Sequence, residues 1–209
     1  MADVVLSADP ALLTSSRVLE IGCGSGDFCV WMASRGATEV IGEDFSGVAI
    51  ENARTLHASS GASFAVGDIQ SISHQDGMFD LVVSCETIEH VPHPARAVHE
   101  LARVLRPGGT LLLSTPNYLS LTGVYRAFSE LTGRGWDEGG QPLVNWTTYP
   151  RTAMWIRRAG LAIKSTRGEG WVVPVRGRPG GLVIHPPAGL RRWLKLVARH
   201  VLFEARKPH

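Results

Sequence analysis

A chain of 209 residues, 44% apolar and 19% charged, fits one domain with an ordinary buried core, which excludes global disorder. The net charge of +2 joins two unlike parts: residues 1–149 carry 8 Lys and Arg against 17 Asp and Glu, and residues 150–209 carry 13 against 2. No basic, apolar leader opens the chain and no window of about 18 apolar residues crosses it, so a cytoplasmic location without a membrane span is expected.

Residues 17–23 (RVLEIGC) form an apolar run that ends at a glycine cluster, as a buried parallel strand does. Asp27 to Arg35 reads as a helix with Phe28, Trp31 and Met32 on its inner face, ended by Gly36. A second strand (TEVIGED) leads to Ser46, which caps a helix turning Ile50, Ala53 and His57 inward. SFAVGD and FDLVVSC are the third and fourth strands. Pro92 and Pro94 then break the chain before an amphipathic helix over 95–105, with Val98, Leu101, Ala102 and Leu105 on one stripe. RPGG is a turn and TLLLSTP the fifth strand. A helix from Thr147 to Ala159, stopped by Gly160, precedes the sixth strand, LAIKSTRGE. Leu190, Trp193, Leu194 and Val197 mark a further helix expected to pack on the sheet, and HVLFEARKP closes the chain as the seventh strand.

The alternation predicts one α/β domain over residues 1–209. It is doubly wound and Rossmann-like: a mainly parallel seven-stranded sheet, last strand antiparallel, helices on both faces. Two stretches rich in Gly, Pro and aromatic residues, 117–146 and 170–189, break the pattern. They are expected to be lid-like insertions, because ligands of such sheets bind beyond the carboxyl ends of the strands.

Gly22, Gly24 and Gly26 follow the first strand and open a helix, so backbone N–H groups can approach a ligand closely. The spacing is G-x-G-x-G, whereas a dinucleotide site prefers G-x-G-x-x-G. Glu20, two residues before the first glycine, would repel a pyrophosphate and suits a cationic ligand. The second strand ends in Glu43 and Asp44; Asp44, next to Phe45 and the cap Ser46, is chosen as the carboxylate for both ribose hydroxyls. Asp68 ends the third strand and can accept from an adenine amine, with Ile69 and Phe45 as apolar walls; a helix cap is the alternative for Asp68.

Together these segments resemble the class I S-adenosylmethionine-dependent methyltransferases, and within them the broad ubiquinone/menaquinone-biosynthesis-type group acting on small molecules. The resemblance rests on VLEIGCGSGDF, VIGEDFS, VGDI, and FDLVVSCETIEHV with LARVLRPGGTLLLSTPN downstream, roughly residues 17–117. It implies S-adenosyl-L-methionine as cofactor and a small-molecule methyl acceptor. It implies Gly22, Cys23 and Gly24 at the methionine end with Glu20 beneath, Asp44 at the ribose, and Asp68 and Ile69 at the adenine. Cys85 and Glu86 are implied near the methionine moiety. Many relatives carry several helices before the glycine strand, where only about 17 residues stand here, so the acceptor pocket falls to the insertions.

His90 is a candidate general base toward an acceptor hydroxyl, or a residue that orders the Pro92–Pro94 turn. His93, between prolines, reads as exposed loop. Asn117, Tyr118 and Trp146 are candidates for the acceptor pocket. Trp136, Tyr149 and Trp171 fill the core, anchor loops or join that pocket. Arg176, Arg178, Arg191 and Arg192 are either a solvated face or a surface for an anionic acceptor or lipid headgroups. Cys23, Cys29 and Cys85 have no metal-ligand spacing and read as reduced thiols.

The reading is a methyltransferase, O- or C-directed, in a biosynthetic or natural-product route. The alternative is a nucleic-acid or protein methyltransferase using the basic C-terminal region. Residues 85–89 (CETIE) stand where amino-directed nucleic-acid enzymes carry (Asp/Asn)-Pro-Pro-(Tyr/Phe), which argues against it. A nicotinamide dehydrogenase conflicts with the glycine spacing and Glu20. A cofactor-binding protein without turnover stays open at this point.

Overall fold

The computed structural model describes residues 9–133, 145–175 and 178–209. In chain order the elements begin with β1 (Arg17–Ile21), α1 (Asp27–Ala33), β2 (Glu39–Asp44), α2 (Gly47–Leu56), β3 (Ala62–Val66) and β4 (Phe79–Cys85). They continue with α3 (Pro94–Val104), β5 (Leu105–Pro116), α4 (Leu121–Leu131), α5 (Tyr149–Arg158) and β6 (Ala162–Glu169). The last are β7 (Trp171–Val175), β8 (Arg178–Ile184), α6 (Ala188–Leu194) and β9 (His200–Arg206). Seven strands form one sheet in the order β3-β2-β1-β4-β5-β9-β6, and β9 runs antiparallel to both neighbours. This is the doubly wound, Rossmann-like sheet expected, with its last strand reversed.

Strand parity assigns the two cores. Leu19 and Ile21 of β1 turn to one face, against Val98 and Leu101 of α3 and Ala153 and Ile156 of α5. Val18 turns to the other, against Met32 of α1, Ile50 of α2 and Phe64 of β3. Both faces are covered, which is why β1 reads as an apolar run. Glu20 shares parity with Val18 and is carried beneath α1. Pro94 opens α3, where its missing N–H costs nothing, and Lys207 Nζ closes it, donating to Ala102 O (2.8 Å), Arg103 O (3.2 Å) and Leu105 O (2.7 Å).

Four details differ from the sequence reading. The RPGG turn lies inside β5, where pairing passes from Phe79↔Leu105 to Leu81↔Thr110 and the residues between bulge out through Gly108, φ +76°. In α1 the buried pair is Cys29 and Met32, while Phe28 and Trp31 stack half-buried with ring centroids 5.7 Å apart. The stretches outside the alternation hold regular structure: α4, capped by Ser120 Oγ on Gly123 N, and the β7–β8 hairpin. Leu190, Trp193 and Val197 are exposed rather than packed on the sheet. α6 ends at Leu194 and a 3-10 turn, Lys195–Val197, carries the chain on; both lie against β6 with these side chains on the outer side.

Candidate active site

The parallel strands β3, β2, β1 and β4 end side by side, and each delivers one part of the site. After β1 the chain turns through Gly22, Gly24 and Gly26 with φ of +82°, +53° and +80°, a region that favours glycine. The loop is anchored from below, because the Glu43 carbonyl accepts from Gly22 N (2.7 Å) and Cys23 N (3.0 Å). It is anchored from the side by Asp44, whose Oδ2 accepts from Gly24 N (2.9 Å) and whose Oδ1 accepts from Ser46 N (2.8 Å). A Cβ at Gly22 would overlap Thr87, and one at Gly26 would overlap Phe64, whereas a Cβ at Gly24 would meet open space.

The two acidic residues ending β2 part company. Glu43 is buried and bonded to His74 Nε2 at 2.9 Å; burial raises its pKa, with His74 opposing. It lies tight under Gly67, where a Cβ would overlap its carboxylate. Asp44 stands at the wall of a cavity of about 570 Å³, inside the roughly 300–1,000 Å³ of small-molecule sites. The same wall includes Gly22, Phe45, Asp68, Ile69, Glu86 and His90. Phe45 is 80% exposed and offers a free ring face, while Ile69 is rooted in the core. Asp68 also shapes its own turn, Oδ1 accepting from Gln70 N at 2.8 Å.

Glu20 is 4% exposed and accepts from Cys29 Sγ at 2.9 Å. Burial pushes its carboxyl up to about 7, with Asp44 and Asp27 adding to the rise and the Cys29 bond opposing it. The folded state therefore favours the protonated form over a chain whose carboxyl titrates near 4.5. Stability from this group is full below that lower value and is lost as pH rises through about 7. Glu20→Gln keeps an acceptor for Cys29 and is expected to melt several degrees above the wild type at about pH 8, the gap closing by about pH 5. A gap of equal size at both values in scanning fluorimetry would contradict this.

Glu20, Cys23, Gly24, Gly26 and Cys85 are close by as framework and not part of the cavity wall described above. The Cys85 thiol is pushed up to about 12 by burial and nearby Glu20, which keeps it protonated. His90 reaches the wall, backed by Glu89: its Nε2 lies 3.7 Å from Glu89 Oε1, and Glu89 is buried with Oε2 accepting from Thr115 Oγ1 at 3.1 Å. Thr87, Gln70, Val91 and Pro92 complete that side and were not singled out from the sequence. The Pro92 turn was legible as a break, but nothing local marked it as a wall.

The three residues expected at the acceptor pocket lie off the wall of this cavity, at the end of β5 and beside α4. Asn117 is 1% exposed and ties the end of β5 to the approach of β9, its Nδ2 donating to Leu196 O (2.9 Å) and Ala198 O (3.1 Å). Its Oδ1 accepts from Tyr149 N at 3.1 Å. Tyr118 and Trp146 lie 5.0 Å apart with the Arg126 guanidinium over both, at 4.7 and 4.8 Å. Tyr149 stacks on Phe203, and Trp171 Nε1 donates to Leu194 O at 3.1 Å, so both serve packing. Trp136 and Arg176 lie outside the described residues, as do the side chains of Arg178, Arg191 and Arg192.

The residues present fit S-adenosylmethionine. The cavity has carboxylates at two strand tips for hydroxyls and an amine, an apolar slot between Phe45 and Ile69, and a loop on which Gly24 leaves room for a ligand.

A methyltransferase-domain family model matches residues 19–113. The chain is 34% identical to a ubiquinone biosynthesis O-methyltransferase of Alkalilimnicola ehrlichii, over 75% of this chain and 64% of that protein. It is 32% identical to the protein of the same name from Pseudomonas aeruginosa, over 75% of this chain and 68% of that one. The chain thus spans about two thirds of the length of these curated relatives. An S-adenosylmethionine-dependent methyltransferase of Mesorhizobium loti superposes with a TM-score of 0.71, at 19% identity, over 99% of this chain and 98% of the other, a likeness of fold. With the strand order, the glycine loop and these relatives in agreement, the chain belongs to the class I S-adenosylmethionine-dependent methyltransferases, related to the ubiquinone/menaquinone-biosynthesis-type group.

Proposed function

We propose that the chain methylates a hydroxyl of a small molecule in a biosynthetic route. The observation that carries this reading is the order of groups in one cavity: Asp68 at β3, Asp44 at β2, the glycine loop at β1, Glu86 and His90 after β4. The relatives' name, O-methyltransferase, supports oxygen as the acceptor atom.

When bound, S-adenosylmethionine supplies an electrophilic methyl group on a sulfonium. Asp44 holds the ribose hydroxyls, Asp68 the adenine amine, and Phe45 and Ile69 flank the base. Glu20 lies beneath the loop, and its ionised fraction, which grows as pH rises through about 7, favours a positive charge above it. His90, steadied by buried Glu89, receives the proton of the acceptor hydroxyl. α4 and the β7–β8 hairpin follow the ends of β5 and β6, α4 packs on β7, and together they bound the acceptor side as a lid.

The basic C-terminal region favours a second reading, a nucleic-acid methyltransferase. Part of that charge is spent inside the fold: Lys207 caps α3, Arg206 Nε donates to Gly108 O (2.9 Å), and Lys195 Nζ donates to Thr166 Oγ1 (3.2 Å) beside the Tyr149 ring. Incubation with methyl-labelled S-adenosylmethionine, a panel of phenols and catechols, and total RNA separates the two. Label in a small product is expected; label confined to RNA would overturn the first reading.

A further inference from the structure

Glu86 is the residue just past β4, and its backbone is left-handed at φ +51°. A non-glycine residue held there is strained and persists where its surroundings over-determine it. The surroundings here are explicit. Glu86 N donates to Ser114 O at 3.1 Å, and Ser114 Oγ donates to Glu86 Oε1 at 2.7 Å. His200 Nδ1 meets the other oxygen, Oε2, at 2.7 Å. His200 opens β9, paired with Pro116 of β5 and Glu169 of β6, so it reaches across the edge of the sheet to a residue 114 positions away. Two donors from two strands thus fix one carboxylate at the cavity wall.

The strand order says what lies opposite that carboxylate. β3, β2, β1 and β4 are successive neighbours, so Asp68 and Glu86 stand at the two ends of the row, with Asp44 and the glycine loop between them. A nucleoside laid with its base at Asp68 and its sugar at Asp44 brings its amino-acid end, which carries a cationic ammonium, to the loop and Glu86. A carboxylate has about four lone-pair sites. His200 and Ser114 take one on each oxygen and leave the rest for that cation.

We propose that His200, with Ser114, is a positioning residue of the cofactor site, holding Glu86 toward the ammonium end of the nucleoside. This rests on the methyltransferase reading above.

The test compares two ligands by titration calorimetry. S-adenosylhomocysteine carries the ammonium; 5′-methylthioadenosine keeps the base, sugar and sulfur and lacks it. His200→Ala is expected to weaken S-adenosylhomocysteine about tenfold, the loss of one charge-assisted hydrogen bond's orientation, and to leave methylthioadenosine unchanged. His200→Gln, whose amide N–H can still donate to Glu86, is expected to recover most of the loss. Ser114→Ala removes the partner bond and is expected to repeat the selective defect, which keeps the test open should His200→Ala fail to fold. An equal loss for both ligands, or no loss for either, would overturn the proposal while leaving the methyltransferase reading intact. Wild-type protein that binds neither ligand would overturn both.

Discussion

Alanine at Gly22 is expected to lower the melting temperature by roughly 5–15 °C and to remove measurable cofactor binding. Two costs add. The backbone sits at φ +82°, where a side chain is strained, and the new Cβ would overlap the Thr87 hydroxyl. Thr87 cannot simply turn away, because its Oγ1 donates to Cys85 O at 2.9 Å. Strain and overpacking each run to about 1–3 kcal/mol. The loop would have to move, and Gly22 N and Cys23 N would leave the Glu43 carbonyl that holds them. Gly24→Ala is the control. It meets no atom within 4 Å, so the fold loses only the conformational cost of about 1–2 kcal/mol. A ligand seated on the loop loses its space all the same. Circular dichroism melts in which Gly22→Ala is as stable as the wild type would refute the account of the loop.

Asp44→Ala is expected to weaken S-adenosylhomocysteine by about 1.5–3 kcal/mol, roughly 10- to 150-fold in Kd, with a small change in stability. Both carboxylate oxygens already accept one backbone N–H, from Gly24 and from Ser46, so the side chain is locked before any ligand arrives. Removing it takes away the acceptor for the ribose hydroxyls and frees Gly24. Asp44→Asn separates the two roles, because an amide keeps one acceptor oxygen and loses the charge. Calorimetry giving wild-type affinity for Asp44→Ala would discard the ribose assignment. Glu43→Gln, one residue away, is expected to leave affinity near wild type, since Glu43 is buried against His74.

That contrast marks what the sequence makes legible. Glu43 and Asp44 are adjacent, and strand parity sends them to different places. The choice of Asp44 from its neighbours Phe45 and Ser46 agrees with the cavity wall, and its bond to Gly24 has no local signature. The sheet was readable because β1, β4 and the later part of β5 (Thr110–Pro116) are mainly apolar runs separated by helices of clear period. α4 is hidden in the sequence by Gly123 and by the Gly- and aromatic-rich stretch around it, although Leu121, Val124, Phe128 and Leu131 stand at helical spacing; in the fold they are exposed. The glycine is explained only by the fold: a Cβ there would overlap the Tyr118 backbone. Asn117, Tyr118 and Trp146 looked like pocket residues because polar and aromatic side chains follow a strand end. Their hydrogen bonds and ring contacts tie the β5 end to β9 and to Arg126, a tertiary role with no local signature. The Glu86–His200 pair joins residues 114 positions apart and belongs to the tertiary fold alone.

The most direct measurement is equilibrium binding of S-adenosylhomocysteine to the wild-type chain, with NADH as the rival ligand. The account requires one saturable site for S-adenosylhomocysteine, displaced by S-adenosylmethionine and indifferent to NADH. Saturable NADH binding with no heat from S-adenosylhomocysteine would contradict it.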